Sequence, residues 1–304
     1  YSSEEGEARS LVSQVQVESQ QIAKFAQEAA SGGYESFDML DATRTSIQVA
    51  LDKLKQGDAA SGLPAFASSR GGVSVEKQLG ELIATWAPVS ENAEKILLRK
   101  ELVLNLADSA SAFSASVPQL QAQMDEVVRA MSESGAPSTQ IYIAVRQIVL
   151  ADRMLRYVTQ ILQGGAAAVS AADRFSRDYS MFGQVLVGLD AGSAEQGIRR
   201  VESASGRQAL GRVADGFAKA KQDVEFILDA STQLFEVKES SDTIFVESEQ
   251  LLAKARALNT AIDAMPEARA FPSVTLGVAA GVLAVFGLAG LLYSLYRDQT
   301  RRFA

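Results

Sequence analysis

The chain has 304 residues, a formal net charge of −8, 47% hydrophobic residues, and neither Cys nor His. That composition removes disulfides, thiol nucleophiles, imidazole bases and most zinc, haem or iron–sulfur sites, so neither a metal nor a cofactor is expected. The acidic balance argues against nucleic acid as a partner, because phosphate binding needs clustered Lys and Arg.

With 6 Pro and 7% aromatics, the composition favours helices with aliphatic and small-residue cores, and the expected fold is all-α. From residue 1 to 272 the apolar spacing is helical almost throughout. Breaks are expected at Ser31-Gly32-Gly33, from Gly57 to Gly72 (GDAASGLPAFASSRGG), and at Pro88 and Pro118. Further breaks are expected at Gly135-Ala136-Pro137, at Gly164-Gly165 and near Gly192. Six or seven helices follow from that punctuation. Trp86, just before Pro88, reads as a core anchor at a helix break.

Residues 19–33 read SQQIAKFAQEAASGG, and residues 151–165, 132 positions later, read ADRMLRYVTQILQGG. Holding that offset aligns Ile22 with Met154, Lys24 with Arg156, Phe25 with Tyr157, Asp41 with Asp173, Leu54 with Leu186 and Asp58 with Asp190. Class is preserved better than identity, as in a diverged duplication, although amphipathic hairpins also agree this well by chance. Gly135-Ala136-Pro137 is then the natural joint. Two helical-bundle modules in tandem are expected, built from long helices over residues 1–134 and 135–272.

In the second copy Arg146 and Arg153 are seven apart, hence on one helix face, with Arg156 three residues further on. Guanidinium groups converging from two such helices would hold a small anion by bidentate, charge-assisted hydrogen bonds. A solvated basic face, or salt bridges to neighbouring Asp and Glu, is the alternative. Gln14 and Gln21 fall at the matching places of the first copy and bring no charge. Acidic pairs such as Glu4-Glu5, Asp38/Asp41 and Glu239/Asp242 read as solvated faces rather than catalytic pairs. The sequence contains no Walker A loop, dinucleotide fingerprint or nucleophile elbow, and no catalytic residue is assigned.

Toward the C-terminus, Ile244, Leu251, Leu258 and Met265 recur every seven residues, with Ser248, Ala255 and Ile262 between them. Such a seam suits a core stripe or a coiled coil running toward a membrane. Residues 274–296, VTLGVAAGVLAVFGLAGLLYSLY, hold no charge in 23 positions. As a helix they would reach roughly 35 Å, enough to cross a hydrocarbon core, so a transmembrane helix is expected over 273–296. Arg297, Arg301 and Arg302 follow, which predicts a cytoplasmic segment at 297–304 and residues 1–272 outside the cytoplasm. Gly277 and Gly281 form a GxxxG spacing suited to close helix pairing. A large segment ahead of an outside-in span needs an export signal, so a preceding transmembrane helix is expected, as is an output domain after Ala304.

The run SQQIAKFAQEAASGGYESFDMLDATRTSIQVALDKLKQGD resembles the first sensor module of the PilJ family, the methyl-accepting chemotaxis-type receptors of type IV pilus systems. GAPSTQIYIAVRQIVLADRMLRYVTQILQGG with AADRFSRDYSMFGQVLVGLDAG is similar to the second. The resemblance implies an inner-membrane, homodimeric, non-enzymatic receptor with a periplasmic sensor. It also implies coupling through a CheW-like adaptor to a CheA-like kinase that controls twitching motility and surface sensing, with the major pilin as a periplasmic partner. Related nitrate-responsive sensors clasp an anion through arginines of a first helix, which Arg146 and Arg153 match. Gln16 and Gln21 stand where those relatives have arginine. A membrane histidine kinase responding to a small anion such as nitrate is the alternative, and an anchored, purely structural helical protein is a third reading.

Overall fold

A computed structural model describes residues 2–63, 65 and 72–265 of the chain. In chain order the helices are α1 (Ser2–Ala29), α2 (Tyr34–Gln56), α3 (Gly72–Leu98), α4 (Lys100–Glu133), α5 (Ser138–Gln163), α6 (Ala166–Ala191) and α7 (Ala204–Asp263). These seven are the helices among the described residues, and no strand joins them, so the all-α expectation holds there. The expected span at 273–296, with Gly277 and Gly281, lies outside the described residues. Among the described residues no helix is long and apolar enough to cross a membrane.

Two of the expected breaks are corrected. Pro88 lies inside α3 and Pro118 inside α4. Each proline removes one backbone hydrogen bond. The flanking residues Trp86, Val89, Val117 and Leu120 are buried, and that continuous apolar stripe holds the helix together across the defect. The Asn92 amide also donates to the Pro88 carbonyl at 2.8 Å. Trp86 is thus the expected core anchor, but in mid-helix. The break falls at Arg99 instead, with φ −102° and ψ 13°.

Contacts group the described residues into two compact units, each assembled from separated stretches: those of 2–17, 48–84 and 251–265 form one, and 18–47 with 85–250 form the other. In the first unit, Val12, Val15, Leu51, Leu79 and Leu258 are fully buried or nearly so. Arg9 of α1 lies 2.8 Å from Asp263 of α7, and Lys254 of α7 donates to Glu81 of α3 at 2.7 Å. The described ends of the chain therefore meet in this unit.

In the second unit, α5 packs between α4 and α6. Phe113 of α4 meets Phe175 of α6 edge-on at 5.3 Å, while Tyr179 and Phe182 of α6 stack on Phe217 of α7 at 4.4 and 5.1 Å. Rings so arranged add specific geometry to a core otherwise made of aliphatic side chains. Along α7, Ile244, Leu251 and Leu258 are buried within the chain itself, as are Ser248, Ala255 and Ile262, and Met265 is buried just past its end. The seven-residue seam is a core stripe.

The repetition extends beyond the two Gly-Gly turns. Gly72 and Ala204, the first residues of α3 and α7, are again 132 apart. Between them stands a second repeated turn, GDAASGL at 57–63 and GSAEQGI at 192–198, whose offset is 135. Asp58 pairs with Leu63 and Ser193 with Ile198 through reciprocal backbone hydrogen bonds of 2.8–3.0 Å. Gly57 and Gly192 both open their turns at φ 85°, in the left-handed region that glycine enters without a Cβ penalty. Leu63 and Ile198 close them with buried side chains.

Candidate functional site

Pro137, at φ −58° and ψ 141°, caps the start of α5, and Gly164 ends it at φ 77°. Between them Ala144, Gln147, Leu150, Met154, Val158 and Ile161 are buried at three- and four-residue spacing. That periodicity leaves Tyr142, Val145, Arg146 and Val149 on the exposed side of the helix.

Arg146 is exposed, its guanidinium carbon 6.0 Å from the centre of the Tyr142 ring. It makes no ion pair among the described residues. Arg153 turns toward α6: its Nη2 donates to Asp178 Oδ1 at 3.2 Å, lies 3.0 Å from Oδ2, and donates to the Tyr157 hydroxyl at 3.3 Å. Arg156 pairs one turn back with Asp152 at 2.5 Å. The three arginines thus share a helix but not a partner. Two of them already make salt bridges within the chain.

The Arg153–Asp178 pair is asymmetric in burial, with side-chain exposures of 41% and 8%. The Tyr157 hydrogen bond holds the Arg153 guanidinium above its ordinary value. Burial pushes the Asp178 carboxyl above its ordinary 3.8, while Arg153 and Arg177 pull the other way. Because one partner remains solvated, the pair contributes of order 1 kcal/mol or less rather than the energy of a dry ion pair.

In the first copy Gln14 is half-buried and Gln21 exposed, on α1. Val17 is exposed there, as is its counterpart Val149. The place of Asp178 is taken by Ser46, which donates to Glu18 of α1 at 2.7 Å. Each hairpin therefore has a polar link between its helices. The acid stands on the first helix in one copy and on the second helix in the other.

Asp178 was the residue that sequence spacing had concealed. It sits on the buried stripe of α6 between Phe175 and Phe182, and an acid at such a position signals a partner. Gln140 is a second case, buried at the start of α5. Its amide nitrogen donates to the Gly197 carbonyl at 2.8 Å and its oxygen accepts from the Arg199 N–H at 2.8 Å, so it fastens the second turn to α5. Among the described residues no cluster of acidic side chains is arranged to hold a metal ion.

An open groove of about 510 Å³ lies beside this turn, with Tyr179, Gly183, Gln184, Val187, Ser193 and Phe217 among its lining residues. None of the lining residues is charged. The arginines of α5 do not line it.

No family model matches the sequence. The chain is similar to AlkN of Alcanivorax borkumensis, named for methyl-accepting chemotaxis, with 36% identity over 293 residues, covering 96% of this chain and 40% of AlkN. It is similar to Protein PilJ of Pseudomonas aeruginosa, with 35% identity over 291 residues, covering 96% of this chain and 42% of PilJ. The resemblance to PilJ read from the two hairpins thus extends over 96% of this chain, and the chain spans about two fifths of the length of these relatives.

Among solved structures, the sensor domain of the V. parahaemolyticus histidine kinase sensor TorS aligns with a TM-score of 0.43 and 12% identity, covering 86% of this chain and 99% of that one. The TorS sensor domain in complex with TorT, in the presence of TMAO, aligns with a TM-score of 0.32 and 14% identity, covering 85% and 97%. Likeness at this level supports no conclusion about this chain.

Proposed function

We propose that this chain is the periplasmic sensor and second membrane-spanning portion of a chemotaxis-type receptor that controls type IV pilus function, in twitching motility and surface sensing. The observation that carries this reading is the similarity to PilJ and AlkN over 96% of the chain. The receptor sits in the inner membrane as a homodimer, with residues 1–272 periplasmic. Residues 1–134 form the first module and 135–272 the second. The recurrence of both turns supports that division. The chain itself is not an enzyme. Its output runs through a CheW-like adaptor and a CheA-like kinase, and the major pilin is the periplasmic partner.

The meeting of α1 and α7 at Arg9 and Asp263 supports a geometry in which both ends of the sensor face the same membrane. A stimulus acts by shifting a two-state balance of the bundle, which α7 passes toward the span at 273–296, where Gly277 and Gly281 pair across the dimer. A ligand that binds both states equally transmits nothing. Arg146 on the exposed face of α5, with the half-buried Arg153, is the anion-binding surface of the second module, and Arg156 flanks it.

The test replaces residues 1–272 by an inert coiled coil in the full-length receptor and measures kinase phosphorylation in membranes, with and without soluble pilin. The expected result is loss of the pilin response. A response that persists would overturn the reading. The exposed basic face of α5 also favours a second reading, a histidine-kinase sensor for a small anion such as nitrate. Reconstitution with a CheA-like kinase separates the two, since an autophosphorylating chain would need no added kinase.

A further inference from the structure

Leu106 of α4 and Lys238 of α7 occupy matching places, 132 residues apart. Leu106 is a core side chain, 1% exposed. The fold can therefore fill this place with an aliphatic residue, and a lysine there carries a desolvation cost that leucine does not. The surroundings of Lys238 show what the lysine does instead.

Its stem lies against the tip of the second hairpin: a Cβ added to Gly164 would stand 2.6 Å from Lys238 Cγ and 3.0 Å from its Cβ. Its ammonium donates to Ser31 Oγ at 2.9 Å, in the tip of the first hairpin. Ser31 Oγ in turn donates to the Gln27 carbonyl at 2.9 Å. A single α7 side chain thus touches both Gly-Gly turns. At the matching turn of the first copy, Gly32 is met among the described residues by Ala107 alone, at 2.9 Å from an added Cβ. Burial lowers the Lys238 amine from its ordinary value, and Asp242, one turn further along α7, works against that.

We infer that Lys238 is the tie that fastens the two hairpin tips to each other through α7, so that the two copies move together rather than independently. A displacement of the α5–α6 tip presses on the lysine stem, and the ammonium hands it to the α1–α2 tip. Both tips lie on the same α7 segment, so the helix senses their joint position. The inference rests on the receptor reading for its use in signalling, but the mechanical tie does not.

The test places spin labels at Glu35 and Ala166, both exposed and one in each hairpin tip, and measures the inter-tip distance distribution in the full chain. Lys238→Met is expected to broaden it about twofold, Ser31→Ala to broaden it similarly, and the double variant to add nothing further, as for two ends of one link. Ser31 is exposed, so its variant keeps the test open even if Lys238→Met folds poorly. Unchanged distributions, or additive broadening in the double variant, would overturn the tie. No ligand, pilin or kinase enters this measurement, so its failure is distinct from failure of the receptor reading, which the phosphorylation assay addresses.

Discussion

Asp178 holds Arg153: the buried carboxylate on α6 stands 3.0 Å from the guanidinium on α5. Any anion that uses Arg153 must compete with an acid the protein already supplies, whereas Arg146 has no such internal competitor among the described residues. Asp178→Asn is therefore expected to tighten binding of a small anion to α5 by about tenfold, since a charge-assisted contact becomes available. Calorimetry with nitrate, comparing the parent with Asp178→Asn and Arg146→Ala, checks this. Weaker binding in Asp178→Asn would assign the acid to positioning the arginine rather than masking it.

The same pair sets a pH dependence. The folded-state value of Asp178 is raised above 3.8, chiefly by burial. A raised carboxyl contributes stability that is complete below the unfolded value and is lost as pH rises through the folded one. Arg153→Gln removes the opposing pull, so the Asp178 value moves further up and the loss extends to higher pH. Carbon-detected NMR titration of the Asp178 carboxyl gives the shift directly. Urea unfolding across the mildly acidic range gives its stability counterpart.

Tyr179 offers a third measurement. Its hydroxyl is buried with no hydrogen-bond partner among the described residues, and burial, with Glu225 adding, pushes it up to about 12. Tyr179→Phe keeps the ring on Phe217 and removes the orphan group, so it is expected to be neutral or to stabilise by about 1 kcal/mol. The raised value also means that stability falls as pH rises from 10 toward 12, because the unfolded chain ionises first. Chemical unfolding of parent and variant over that interval should show the fall reduced in Tyr179→Phe.

Glycine substitutions separate strain from crowding. Gly62 has φ +75° with none of the described residues within 4 Å of an added Cβ, while Gly164 has φ +77° with the Lys238 stem at 2.6 Å. Gly62→Ala should cost about 1 kcal/mol, from the backbone alone, and Gly164→Ala about 1 kcal/mol more. Thermal unfolding of both variants measures the difference. Equal costs would mean that the lysine stem yields without penalty.

The turns at Ser31-Gly32-Gly33 and Gly164-Gly165 were legible because glycine ends a helix for a backbone reason that needs no knowledge of neighbours. The buried face of α5 was legible from its period. Pro88 and Pro118 misled because a local helix penalty of a few kcal/mol is outweighed by burial along a stripe, which is a tertiary quantity. The break at Arg99 had no punctuation at all. Its guanidinium donates across to Gln233 and Glu236 of α7, at 3.5 and 3.0 Å, and those partners lie more than 130 positions away. Asp178 and Lys238 were hidden for the same reason: the charges look like surface residues until the facing helix is known.

The repeated turn has a consequence for how the two copies diverge. Helix α6 has 26 residues against 23 in α2, while the connection that follows shortens from 15 residues to 12, so α7 begins back in phase with α3. Three residues advance a helix by about 4.5 Å and 300°, nearly one whole turn. The three extra residues lengthen α6 by nearly one turn, and the shorter connection returns α7 to the register of α3. Selection can therefore change the length of the second helix of one copy by single turns, because the connection after it absorbs the difference before the next long helix begins.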